Sequence, residues 1–259
     1  MKELVIIVPM NVFGKKNIEL LNKAVDSVPE NMRVLLSIPN SIGAKDVKGV
    51  SKRVQIVQET DGTSFAELVN AAVGTLDDGW FSILEFDDTY TPIWLDNVKK
   101  HLEFKPDVSV FMVLEDIKDF NTDKYVGFGN AEAYASAFSN EMGYIDNDCL
   151  QNYFDFYLTG SVFNVKDWKE VGGLKPLIKV TFWYEWMLRA TSKGKKIFVI
   201  PKIGYNHNMD RSGSYVETYR TQMKDAEIQW WFDLAKRESY FKEQRDPEKY
   251  VYKEEEKAE

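Results

Sequence analysis

Three carboxylates, Glu85, Asp87 and Asp88, follow the apolar run Trp80-Phe81-Ser82-Ile83-Leu84 and precede Thr89-Tyr90-Thr91-Pro92. The run reads as a strand in which Phe81, Ile83, Leu84 and Phe86 are buried and fix the backbone. The acids then emerge where a sheet ends and solvent begins. Like charges this close repel one another and need a cation, hydrogen-bond donors or solvent to stay together. Their hard oxygens suit Mg²⁺ or Mn²⁺, ions that keep coordination positions open for a substrate's phosphates. A plainer reading has Asp88 capping a helix that starts near Pro92, with Glu85 facing water.

A second group of polar residues lies in Gly204-Tyr205-Asn206-His207-Asn208-Met209-Asp210-Arg211-Ser212-Gly213-Ser214, after a strand and a proline. Read as a loop, it offers an imidazole at His207, a guanidinium at Arg211 that binds phosphate through two parallel hydrogen bonds, and hydroxyls at Ser212 and Ser214. The alternative is a turn with a surface histidine. His101, the other histidine, stands beside Lys99 and Lys100 and reads as solvated.

The elements that must position these groups alternate in type. Leu4 to Pro9 is continuously apolar and predicts a buried parallel strand. Ile18 to Val28 has helical spacing, Arg33 to Pro39 and Val54 to Gln58 predict strands, and Ser64 to Leu76 predicts a helix. After the acidic strand end come a helix over Ile93 to Phe104 and a strand over Val108 to Leu114. This order predicts a doubly wound α/β fold with a mostly parallel sheet and its ligand site at the carboxyl ends of the strands. Residues 115–152 are polar, aromatic and poorly periodic, and read as an insertion or mobile loop over the cleft. Beyond them lie a strand pair or strand and turn over Phe154 to Val165, a short helix closed by Gly172-Gly173, and a helix over Tyr184 to Ser192. A strand over Lys196 to Pro201 and one long helix over Val216 to Phe241 complete the pattern.

With 259 residues the chain can bury a substantial core. The net charge of −8 argues against bulk-charge binding to nucleic acid. Cys149 is the only cysteine, which leaves no intrachain disulfide and no cysteine-based zinc site. The opening apolar run is too short for a signal peptide or membrane span, and no later segment is long enough, so a cytoplasmic location is expected.

The ordered pieces resemble the inverting nucleotide-sugar glycosyltransferases of family two, which have a GT-A type fold. Carrying the resemblance are Val8-Pro9-Met10-Asn11, Asn70-Ala71-Ala72, Glu85-Phe86-Asp87-Asp88, Thr159-Gly160-Ser161 and Glu170-Val171-Gly172-Gly173-Leu174, within residues 3–215. It implies a Rossmann-like central sheet flanked by helices in a domain over 1–215, with a nucleotide-sugar-binding half (1–114) and an acceptor half (115–215). A C-terminal helix (216–245) and a charged tail (246–259) would follow. It further implies a Mn²⁺ or Mg²⁺ ion held by Asp87 and His207. The donor-binding positions would be Pro9, Asn11, Asp61, Asn70, Glu85, Asp88, Arg211 and Ser212. The partners implied are a nucleoside-diphosphate sugar and an acceptor hydroxyl on a glycan, a protein, a lipid-linked sugar or a modified DNA base.

The chain departs from the family's pattern in two places. Pro39-Asn40-Ser41 stands where the family has an acidic loop that grips the nucleobase. The family also opens its late helix with Glu-Asp, whose Asp is the base, followed by an acid and Leu-x-x-Arg. Counting back from Arg189, Phe182-Trp183 occupy that pair and Glu185 is the acid that remains. Either Glu185 serves as the catalytic base, or the chain is a silent module that binds glycans or nucleotides. The same spacing also fits a plain ion pair with Arg189 one turn on. A nucleotidyltransferase, which also uses strand-end carboxylates, is a third reading.

Overall fold

A computed structural model describes residues 3–135 and 137–244. The expected charged tail lies outside the described residues.

β1 (Leu4–Pro9) is buried along its whole length. Its side chains alternate between two cores. Val5 and Ile7 pack on one face of the sheet, and Leu4, Ile6 and Val8 on the other, which is why the run is apolar without a break. α1 (Lys15–Asp26) returns the chain to β2 (Arg33–Ser37) and β3 (Val54–Val57). α2 (Phe65–Gly74) begins with a capping box. The Ser64 hydroxyl accepts from the Glu67 N–H at 3.3 Å while the Glu67 carboxylate accepts from the Ser64 N–H at 3.0 Å. β4 (Trp80–Ile83), the short β5 (Thr89–Tyr90) and α3 (Trp94–Phe104) bring the chain past the acidic cluster. No side chain caps α3, so the capping reading of Asp88 does not hold.

β6 (Val110–Asp119) runs through the expected boundary at 114/115. It pairs with β7 (Tyr125–Gly129), and a 3₁₀ turn over Ala131–Tyr134, β8 (Tyr144–Ile145) and α4 (Asn147–Asn152) follow. The segment expected to be a loop zone is therefore partly built into the sheet. β9 (Val162–Asn164) leads into α5 (Val165–Val171), which ends at Gly172 with φ 101°. α6 (Phe182–Ser192) precedes β10 (Ile197–Met209), a strand that includes most of the cluster expected to be a loop. The long C-terminal helix is two helices, α7 (Tyr215–Gln222) and α8 (Asp225–Gln244), separated by an extended Met223.

The ten-stranded sheet has the order β3-β2-β1-β4-β9-β6-β10-β5, with β7 beside β6 and β8 against β10. β1, β2, β3 and β4 are parallel, and so are β6 and β10. β9 runs antiparallel to both β4 and β6, so those six strands share one direction while β5, β7, β8 and β9 oppose them. Side chains of α2, α5 and α6 cover one face of the sheet and those of α1 and α3 the other. Among the described residues no helix is long and apolar enough to cross a membrane.

Candidate functional site

The acidic cluster sits at the carboxyl end of β4, beside the end of β10. Phe81, Ile83, Leu84 and Phe86 are all buried, as the sequence predicts. The ladder continues one step past β4, from the Leu84 N–H to the Ile7 carbonyl at 2.9 Å. Beyond it the Glu85 N–H donates to the Tyr205 hydroxyl at 3.0 Å. Sheet hydrogen bonding therefore fixes the backbone of the cluster up to its first acid.

Each aspartate then has its own cation. Asp87 is paired with the Arg211 guanidinium through Oδ2 and Nε. That guanidinium also lies over the Phe86 ring, 4.6 Å from its centre. Asp88 faces His207, Oδ2 to Nδ1 at 3.0 Å, and its Oδ1 accepts from the Asn208 N–H at 2.7 Å. The Asn208 side chain donates in turn to the Asp87 carbonyl. β10 thus stitches the acidic turn to the sheet through consecutive residues.

Burial dominates the electrostatics. It pushes the Glu85 carboxyl up to about 8, with Asp88 and Asp87 adding to the effect. Burial and Asp88 likewise raise Asp87, against the pull of Arg211. For His207 burial alone would favour loss of the proton. The charge and hydrogen bond of Asp88, helped by Glu115 and Glu85, outweigh it and lift the imidazole to about 10.

Glu115 is the residue that sequence reasoning passed over. It lies fully buried on β6, opposite Tyr205 of β10. Its Oε1 accepts from the Thr159 hydroxyl at 3.2 Å, and its Oε2 has no partner among the described residues. Burial raises it to about 8, opposed by His207 and reinforced by Asp88. The signal was present in the sequence: Glu115 ends the apolar run Val110 to Leu114 just as Glu85 ends its own strand.

The other expected site residues make contacts of their own. Pro9 ends β1 opposite Ser37, and the Asn11 side chain donates to the Thr63 carbonyl at 2.7 Å. Asp61 is exposed and accepts from the Asn40 amide at 3.1 Å. Asn70 is a clamp on the double-glycine turn, donating to the Leu174 carbonyl at 2.7 Å and accepting its N–H at 3.0 Å. Ser212 is exposed, and its carbonyl accepts from Arg211 Nη1 at 3.2 Å.

Glu185 is 3% exposed and bound by two cations. Arg189 holds both its oxygens at 2.8 Å, and Lys175 lies 2.7 Å from Oε1. Arg189 also donates to the carbonyls of Val171 and Gly173 at 2.6 and 2.7 Å, tying α6 to the turn that Asn70 clamps. Trp183 is half-buried and packs against the core, its ring 5.7 Å from Phe65 and stacked 6.0 Å from Phe163.

Comparison with solved structures identifies the architecture. The mannosyltransferase PcManGT from Pyrobaculum calidifontis, in complex with GDP-Man and Mn²⁺, superposes with a TM-score of 0.59 at 13% identity, over 82% of this chain and 58% of that one. S. aureus TarS 1-349 in complex with UDP-GlcNAc gives 0.58 at 14% identity, over 83% of this chain and 61% of the other. The fold is that of the GT-A type glycosyltransferases. This chain spans about three fifths of the length of these two GT-A chains. No family model matches its sequence, and no curated protein does.

Proposed function

We propose that this chain is an inverting glycosyltransferase that moves a sugar from a nucleoside diphosphate to an acceptor hydroxyl. We further propose that Asp87 and His207 hold a Mn²⁺ or Mg²⁺ ion at the donor diphosphate. One observation carries the reading. At the carboxyl end of a GT-A type sheet, Asp87 and Asp88 meet Arg211 from the turn after β10 and His207 from its last residues.

The donor set suits such an ion. No group of three or more His, Cys, Asp or Glu side chains able to hold a metal forms among the described residues. Ions that retain positions for substrate phosphates need only one or two protein ligands. Asp88 on Nδ1 of His207 would leave Nε2 as the ligating nitrogen once the imidazole, which Asp88 holds protonated, gives up its Nε2 proton to make room for the ion. When bound, the ion would supply Lewis-acid neutralisation of the departing nucleoside diphosphate.

The remaining roles fall to the chain's own side chains. Arg211 would donate to phosphate oxygens and Ser212 would add a hydroxyl. Pro9, Asn11 and Asp61, near the carboxyl ends of β1 and β3, would line the nucleoside side, and Glu85 would stand neutral beneath the phosphates. Asn70 acts through the turn it clamps. Glu185 is the acid left for a base by the resemblance, but its bonds to Arg189 and Lys175 support a strut that holds α6.

Trp183 favours a second reading, a binding module without transfer. It stands at the expected base position and is packed among rings. Thermal-shift measurements with UDP-, GDP-, TDP- and CDP-sugars, each with Mn²⁺ or chelator, test the donor site. Metal-dependent stabilisation by one nucleotide class is the expected result, and no response to any of them would reject it. Sugar transfer or donor hydrolysis in the responding mixture supports the enzyme, and their absence supports the silent module.

A further inference from the structure

Arg211 differs from the other groups that hold the acidic cluster. His207 and Asn208 belong to β10 and are fixed by its pairing with β6. Arg211 lies beyond the strand, between Asp210 at φ 63° and Gly213 at φ 79°, in a turn whose Ser212 and Gly213 are exposed. Its guanidinium nevertheless reaches back into a buried ion pair, with Asp87 7% and Arg211 8% exposed. This cation can leave without opening the sheet.

Asp87 is also the carboxylate assigned to the metal ion, so two cations compete for one group. A divalent ion arriving alone must displace the guanidinium from its ion pair and from the Phe86 ring with no anion to receive it. A diphosphate arriving alone must take Arg211 from Asp87 and leave a buried carboxylate beside phosphate oxygens. Each single step breaks a buried ion pair and gives one of its two charges no new partner. Arriving together, the ion takes Asp87 and the diphosphate takes Arg211, so that one ion pair is exchanged for two.

Resting on the donor-site reading above, we propose that Arg211 is a resident counter-ion that holds the divalent cation's place on Asp87. It passes from Asp87 to the diphosphate when cation and nucleotide bind as a pair. Mutual dependence of the two ligands is the consequence, since each removes the penalty that the other meets.

Titration calorimetry and Mn²⁺ electron paramagnetic resonance on the full chain test this, with Mn²⁺ alone, UDP, GDP, TDP or CDP alone, and each nucleotide with Mn²⁺. The wild type should bind Mn²⁺ and nucleotide together about tenfold or more tightly than either alone. Arg211→Gln should bind Mn²⁺ alone about tenfold more tightly than the wild type, because Asp87 is released, while losing affinity for Mn²⁺-nucleotide. Arg211→Lys keeps the charge and should exclude free Mn²⁺ as the wild type does, which provides a second reading if the Gln variant folds poorly. Unchanged or weaker Mn²⁺ binding by Arg211→Gln, in a protein whose wild type binds Mn²⁺-nucleotide, overturns the exchange and leaves the donor site standing. A Lys variant that binds free Mn²⁺ as tightly as the nucleotide complex overturns it as well. A wild type that binds none of UDP, GDP, TDP and CDP, with or without Mn²⁺, overturns the donor-site reading and the exchange with it.

Discussion

Glu185 and Arg189, one turn apart on α6, form a two-pronged ion pair, with Nε to Oε1 and Nη2 to Oε2 both at 2.8 Å. Arg189 extends the link to the carbonyls of Val171 and Gly173, so the pair fastens a helix to a turn. Replacing Glu185 with Gln removes the charge from a buried site and leaves Arg189 with neutral acceptors. A strut predicts a loss of about 3 kcal/mol of stability in urea denaturation, with donor affinity changing only as far as folding allows. A catalytic base predicts an unchanged urea midpoint and transfer reduced by orders of magnitude. The two roles separate cleanly when both quantities are measured on one preparation.

Asp87→Asn is the direct test of the acidic strand end. The amide keeps the shape and can still accept a hydrogen bond from Arg211, but it no longer offers an anionic ligand. Mn²⁺-dependent stabilisation by the responding nucleotide sugar should fall at least about tenfold in apparent affinity. Retention of that affinity would remove Asp87 from the cation site.

The parts of the fold legible in the sequence were those dominated by one physical effect. β1 is apolar on both faces, and the Ser64–Glu67 capping box fixes the start of α2. The acidic strand end was visible because a buried strand stops abruptly at carboxylates. β10 was hidden because it carries its chemistry inside the strand. Gly204, Asn206 and Asn208 look like loop residues, yet Asn206 pairs with Thr89 of β5, and Asn208 with both aspartates. Glu115 and Asp116 likewise read as a strand end, whereas β6 continues because β7 and β10 flank it. Glu185 shows the converse case. Its type and place suggested a base, but its partners Lys175 and Arg189 become neighbours of one carboxylate only in three dimensions.

Gly160, at the centre of the Thr159-Gly160-Ser161 motif, links the acidic cluster to the core. Its N–H donates to the Ile83 carbonyl at 2.8 Å, and its own carbonyl accepts from the Trp94 indole at 3.0 Å. It has φ +71°, and an added Cβ would lie 2.5 Å from the Tyr205 ring. Gly160→Ala should therefore cost about 2–3 kcal/mol through backbone strain and overpacking. The displaced Tyr205 would also withdraw its hydroxyl from the Glu85 N–H. Reduced nucleotide affinity should accompany the lower denaturation midpoint, and a midpoint equal to that of the wild type would count against the assigned packing.

Glu115, Glu85 and His207 all make the protein less stable as pH rises. Glu115 has its carboxyl raised from an ordinary 4.5 to about 8 by burial. Below the lower value the group is protonated in both the folded and unfolded chain, and its burial carries no charge penalty. Between the two values the unfolded chain loses the proton while the folded one keeps it, so stability falls as pH rises, and the loss levels off above about 8. His207, raised from 6.5 to about 10, acts in the same direction, since its bond to Asp88 is fully present below 6.5 and lost as pH passes through the higher value. The wild type should thus be less stable at about pH 9 than at about pH 5, by a few kcal/mol in total. Glu115→Gln removes one of the two glutamic acids raised by burial without changing its shape. It should make the profile shallower up to about pH 8 and leave the declines contributed by Glu85 and His207. Urea midpoints across this range decide the matter: a wild-type profile that rises with pH, or a Gln variant that follows the wild type, would show that Glu115 is not carried as a neutral acid in the folded protein.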